Sequence, residues 1–471
     1  MTELTRLAAR EIVRLLAARE VSPLELIDAA LARIEAVDPL VNAVPTRCPE
    51  RAREHARRIM AGTAPAGRLG GLPVLIKDLV DVAGVRSTQG SPIFADCVPE
   101  RSDWEVERLE ADGGVILGKT NTPEFGAGAN TFNEVFGATL NPWDRRLTCG
   151  GSSGGAAVAL ATGMAWLADG SDLGGSLRTP AAFCGVVGLR PSPGRVPHGP
   201  RAAPFGTLAV NGPMARDVRD LALFLDALAG FDARDPLSFD APPLSYAEAV
   251  ERGGAPRRVA FTPDLGGITP VDPEIAAVCR RATLRLVDLG AAVEEATPDL
   301  GSAVEVFTTL RAASYAANME PLLEQHRASL KPEVVWNIEH GLRLAAGEIG
   351  RAERERGALQ LRMAEFLGEF DLLCCPTAIV PPFPVEQRYL AELNGHRFPS
   401  YIDWVTIAYA ITLTGCPALS LPCGFTAAGL PVGLQLVGPP RGEAKLLAVA
   451  AALEDALGVA GSVPIDPRPA A

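Results

Sequence analysis

A chain of 471 residues, 48% apolar and 21% charged, has ample material for a buried core and no compositional sign of disorder. Its net charge of −12 argues against a nucleic-acid groove, which needs a basic face. The nine cysteines are scattered, with no CxxC pair and no histidine cluster at zinc spacing. The expectation is therefore reduced thiols, no metal and a cytoplasmic location.

Residues 1–20 carry charges of both signs and no apolar core, so no signal peptide is expected. Ser22-Pro23-Leu24-Glu25 reads as a capping box with proline at the first helical position. Leu24, Ile27, Leu31 and Ile34 then follow helical spacing, and Pro39 is predicted to end the run. Residues 1–65 are accordingly assigned as N-terminal helices. The nearly continuous apolar segment 72–82, LPVLIKDLVDV, reads as a buried strand, and 113–121, GGVILGKTN, as another. Residues 149–168 lack charge, but their glycines, serines and threonine favour a core helix over a membrane span.

Residues 217–229 are helical by pattern. RVAFT at 258–262, a helix over 273–289 and AAVEEA at 291–296 form a predicted strand–helix–strand unit. Residues 300–400 differ, with interrupted helices, the aromatics Phe307, Tyr315 and Trp336, and a proline-rich turn at Pro376–Pro384. A substrate-facing subregion is expected there, with Tyr401 and Trp404 beyond it; plain core packing is the alternative for these aromatics. No repeat or linker is evident, so the simplest account is one α/β domain over 1–471.

Two motif matches are formal only. GGVILGKT at 113–120 satisfies the P-loop expression, yet its Val-Ile-Leu is itself the strand and Asn121-Thr122-Pro123 follows where a helix should start. Gly151-Ser152-Ser153-Gly154-Gly155 fits a nucleophile elbow centred on Ser153, but the preceding NPWDRRLTC is too polar and proline-broken for the strand an elbow needs. His198, His326, His340 and His396 have no informative flanks. An esterase of α/β-hydrolase type using Ser153 remains a rival.

The densest information lies in 149–197, where GGSSGG and GGS surround an apolar segment. Glycine beside serine lets bare backbone N–H groups approach a reacting atom. The chain has only four lysines, at 77, 119, 331 and 445, and Lys77 lies inside the apolar run Leu75-Ile76-Lys77. A desolvated lysine can become a neutral base, which arginine cannot. The competing role is a strand lysine in an ion pair or reaching for solvent. Asp78 does not obviously supply that pair, since adjacent strand residues point to opposite faces. The residues alone leave both roles open.

Taken together, the IKD context of Lys77, GGSSGG and GSDLGGSLRTPAAFCGVVGLRPSPGRVP resemble the amidase signature family. The resemblance continues through ILGKTNTPEF, FGATLNPWD, GPMAR, GCPALSLPCGF and GLPVGLQLVGP, and so covers most of the chain. It implies a single α/β domain around a large, mixed, twisted sheet with helices on both sides. It also implies a cofactor-independent Ser–Ser–Lys hydrolase, with Ser176 as nucleophile, Ser152 as bridging serine after a cis peptide bond, and Lys77 as base. The backbone N–H groups of Leu173, Gly174, Gly175 and Ser176 become an oxyanion hole, with Ser153, Asp172 and Arg178 as supporting residues. Substrates would be small amides, with esters and carbamates including urethanes also in range; neither nucleic acid nor membrane is implied, and a homodimer is left open. Ser171 and Leu173 depart from the usual threonine and polar residue, and Pro204–Leu208 from a serine-rich segment. The last departure weakens the rival reading as the A subunit of glutamyl-tRNA amidotransferase.

Overall fold

The computed structural model describes residues 3–469. Eleven strands form one mixed sheet: β1 (Thr46–Arg47), β2 (Pro73–Lys77), β3 (Val115–Thr120), β4 (Leu167–Asp172), β5 (Val187–Arg190), β6 (Val210–Ala215), β7 (Arg258–Phe261), β8 (Ala292–Glu295), β9 (Leu372–Pro376), β10 (Ala418–Phe425) and β11 (Pro431–Val437). Their spatial order is β1-β3-β2-β4-β6-β5-β10-β11-β9-β7-β8. β3, β2 and β4 run parallel, as do β9, β7 and β8, while the centre between them is antiparallel. This is the large mixed α/β sheet that the resemblance implied.

The N-terminal helices Ala9–Ala18, Pro23–Val41 and Pro49–Met60 form as read from the sequence, with one difference. The second helix runs past Pro39. Proline in a last turn forfeits one donor, and Asp38 closes the end by accepting the N–H groups of Ala43 and Val44 through Oδ1. The expected strand over 72–82 is also shorter, because it stops at Lys77. There Val80 N–H turns back to Lys77 O, and the Asp78 carboxylate is held by Thr88 and Lys119. Leu79, Val80 and Asp81 therefore leave the sheet and line a cavity.

The strand–helix–strand unit is present, with β7 and β8 parallel; its helix, Pro273–Leu284, tightens into a 3-10 turn at Arg285–Leu289. The uncharged segment gives only the short, wholly buried helix Gly154–Ala161. Among the described residues no helix is long and apolar enough to cross a membrane. All nine cysteines are free thiols. Between β8 and β9 the chain leaves the sheet for the helices Ala303–His326, Pro332–Arg343 and Ala346–Glu369. The first of these forms a wall of the cavity. Trp404, by contrast, is fully buried between Phe183 and Phe383, so core packing is its role.

Candidate active site

The site lies at the carboxyl ends of the neighbouring parallel strands β2 and β4, where ligands gather in α/β sheets because loops diverge there. β2 ends on Lys77, wholly buried, in register with Thr120 at the end of β3. Its Nζ lies 2.7 Å from Ser152 Oγ and 2.9 Å from both Ser153 Oγ and Ser171 Oγ. No carboxylate is within ion-pair range of this amine among the described residues. Burial lowers its pKa to about 7, against the opposing pull of Asp169, Asp172 and Glu105.

The three hydroxyls come from two segments that the backbone binds together. Ser152 and Ser153 precede the helix Gly154–Ala161, and the Gly151–Ser152 peptide is cis, as the resemblance implied. Ser153 N–H donates to Ser176 O at 3.1 Å, which ties the first Gly/Ser segment to the second. Gly155 is required by close approach, since a Cβ there would stand 2.3 Å from Asn121 N. The Ser153 hydroxyl donates to Ser171 O at 3.3 Å and receives Lys77, with no histidine in hydrogen-bond contact. That arrangement does not match an elbow nucleophile, and His198, half-buried near Arg201 with its pKa pushed down to about 3 by desolvation and by that guanidinium, lines the cavity elsewhere.

β4 ends on Asp172, and the turn after it carries Ser176 into the cavity. Asp172 accepts Gly175 N–H at 2.9 Å and Leu177 N–H at 3.2 Å, and the Arg178 guanidinium at 3.0 and 2.9 Å. Burial alone would raise this carboxyl; Arg178, Arg190 and Gly175 N–H override it and hold it well below the ordinary range. Arg178 continues to Ala408 O and Thr412 Oγ1, so the turn is clamped to the helix Thr406–Leu413. Gly175 has φ of 109°, open to glycine, and a Cβ on it would meet Ala408 Cβ at 2.7 Å. Of the four residues whose backbone groups were singled out in the sequence, Gly175 has its N–H engaged by Asp172, while Leu173, Gly174 and Ser176 line the cavity.

The cavity, about 840 Å³, is lined by Ser152, Ser171 and Ser176. Phe125 and Phe307 flank it, Phe307 stacked on Tyr409 with centroids 4.0 Å apart. Phe205, 75% exposed, lies at the departing Pro204–Leu208 segment, which also lines the cavity. Several lining residues had no signal in the sequence. Asp103 is one, its pKa raised to about 7 by burial and by Asp81 and Asp169. Arg311 is another, held by Asn337 and Tyr315 on the helix wall. Ser171, noted in the sequence only as a departure from threonine, proves to be a direct partner of the Lys77 amine. Lys119 of the P-loop match is no phosphate ligand: it is buried in β3 and pairs with Asp78 at 3.0 Å.

Residues 25–447 match the Amidase family model. The chain belongs to the amidase signature family. It is 38% identical over 455 residues to an acylamidase of Rhodococcus erythropolis, covering 95% of both chains. It is also 38% identical over 480 residues to the A subunit of glutamyl-tRNA(Gln) amidotransferase from Moorella thermoacetica, covering 96% of this chain and 97% of that one. Among solved structures, a bacterial aryl acylamidase of the amidase signature enzymes superposes with a TM-score of 0.89 at 31% identity, covering 98% of this chain and 99% of the other. Among the described residues, no group of three or more His, Cys, Asp or Glu is placed to hold a metal.

Proposed function

We propose that this amidase is a free-standing serine hydrolase that cleaves the C–N bond of small, hydrophobic or aryl amides through an acyl-enzyme on Ser176, with esters and carbamates as further substrates. The observation that carries it is a wholly buried lysine amine surrounded by serine hydroxyls instead of carboxylates. A neutral amine has two N–H donors and one lone pair, so three hydroxyl neighbours fit only if one hydroxyl donates to it. Ser153 spends its proton on Ser171 O, and Ser152 stands nearest, so Ser152 is the hydroxyl that faces the lone pair.

Neutral Lys77 takes the Ser152 proton as Ser152 takes that of Ser176, and Ser176 Oγ attacks the carbonyl carbon. The oxyanion is received by the N–H groups of Leu173, Gly174 and Ser176, while Gly175 N–H stays with Asp172 and stiffens the turn. Charged Lys77 then returns the proton through Ser152 to the departing nitrogen. Water attacks the acyl-enzyme by the same relay. Asp172 and Arg178 orient the turn without exchanging protons. The apolar walls given by Phe125, Phe307 and Leu208 suit an acyl or aryl body. The acylamidase and aryl acylamidase relatives support the same substrate class.

The 38% identity to an amidotransferase component supports a second reading, a glutaminase that works within an assembly. Amine release by the purified chain from an anilide, an aliphatic amide, an aryl carbamate and glutamine separates the two. Ser176-dependent cleavage of the anilide or carbamate is the expected result. Weak glutamine turnover alone would sink the free-standing reading, and full turnover by Ser176→Ala would sink the mechanism.

A further inference from the structure

Behind Lys77 lie two carboxyls that the mechanism does not use. Asp169 projects from β4, and its Oδ1 accepts the backbone N–H of Lys77 across the parallel β2–β4 pairing. Glu105 comes from the first turn of the helix Trp104–Ala111, and its Oε2 accepts the side-chain amide of Asn211, which itself lines the cavity. Both residues are 1% exposed, and the remaining oxygens, Asp169 Oδ2 and Glu105 Oε1, have no donor among the described residues. The two carboxyls lie against each other. Among the described residues neither is in an ion pair; the nearby Lys119 spends its amine on Asp78 and Ser87.

Two buried carboxylates cannot both stay ionised in contact, and a single proton shared between them supplies the donor that their orphaned oxygens lack. We propose that Glu105 and Asp169 share one proton, carried by Glu105, and so fix a single negative charge behind the Lys77 amine. Burial raises both carboxyls, but Asp169 has the lysines Lys77 and Lys119 near it to favour its charge whereas Glu105 has the carboxyl of Asp103, which places the proton on Glu105. Asp169 is thereby a positioning residue acting through Lys77, and Glu105 keeps its charge at one. This rests on Lys77 being the base. The charged groups whose fields reach the amine are Asp169 and Asp172 on β4 and Glu105 on its helix; Asp103, just before that helix, acts on Glu105, and Lys119 on β3 acts on Asp169. Asp172 is already neutralised by two arginines, which leaves the pair as the counter-charge that keeps burial from depressing Lys77 further.

The sign follows directly: a fixed negative charge strengthens proton binding by Lys77, so removing it must move the acid limb of kcat/KM to lower pH. The test is the pH profile for a neutral anilide in wild type, Glu105→Gln and the double variant Glu105→Gln/Asp169→Asn. Glu105→Gln still donates to an ionised Asp169, so its acid limb should coincide with wild type. The double variant removes the charge while keeping the shapes, and its limb should fall by about one pH unit or more. An unshifted limb in a folded double variant overturns the pair, as does a Glu105→Gln shift as large as that of the double. Absence of any acid limb in wild type would instead break the assignment of Lys77 as base. Should the double variant not fold, infrared spectra at pH 9 decide: wild type minus Glu105→Gln should contain the carbonyl band of a protonated carboxylic acid, and its absence overturns the proposal.

Discussion

Two lysines lie side by side at the ends of β2 and β3, both without solvent exposure, and the structure uses them in opposite ways. Ile76 is in register with Lys119 and Lys77 with Thr120, so the two amines leave the sheet on opposite faces. On one face Lys119 meets Asp78 at 3.0 Å and Ser87 at 2.7 Å, a buried ion pair. On the other Lys77 meets only hydroxyls. The same residue type in the same sheet becomes a brace or a base according to whether a carboxylate or an alcohol receives it.

The sharpest test of this contrast is to make one substitution at both positions. Lys77→Met should cost kcat/KM at least about 10⁴-fold on an anilide while leaving the fold intact, as steady-state kinetics and circular dichroism would show. Lys119→Met should behave the other way. It strands the Asp78 carboxylate in the core, and chemical denaturation should report a loss of about 3–5 kcal/mol, while the protein that remains folded keeps most of its turnover. Comparable stability loss in both, or comparable rate loss in both, would erase the distinction.

A smaller effect separates the faces by pH. Because Lys77 is neutral only above its pKa of about 7, kcat/KM should fall roughly tenfold for each unit below that value and level off above it. Lys119→Arg should leave this profile in place. The least effect belongs to the cavity rim, where Phe205→Ala should raise KM for an anilide by no more than about tenfold, about 1.4 kcal/mol, without touching the pH profile.

The lysine contrast also marks where the sequence was readable. Lys77 stood out because an apolar run is an unusual place for a charge, and Ser152 and Ser176 because glycines flank them. Those signals are local, and so were the capping box at Ser22 and the strand–helix–strand unit. Partner choice was not local: Lys77 finds Ser152 at a separation of 75 residues, Asp169 at 92 and Ser171 at 94. The opposite orientation of Asp78 followed from alternation alone, whereas its pairing with Lys119 depended on the register of β2 against β3, including the shift between Val74 and Leu75. The early end of β2 was hidden for a related reason, since the apolar residues after Lys77 face a cavity and hydropathy does not distinguish a cavity from a core. Pro39 misled because an acceptor beside it, Asp38, completes the turn that proline weakens.

The helices between β8 and β9 leave from one strand of the sheet's edge and return beside β7, two places from where they departed. That detour, residues 296–371, contributes the wall carrying Phe307, Arg311 and Tyr315 but none of the serines, the lysine or the Asp172 clamp. Divergence can therefore remodel what the enzyme accepts by redrawing one excursion, without re-registering a single strand that holds the chemistry. For protein engineering, the corresponding unit of exchange is this excursion as a graft, joined at the ends of β8 and β9.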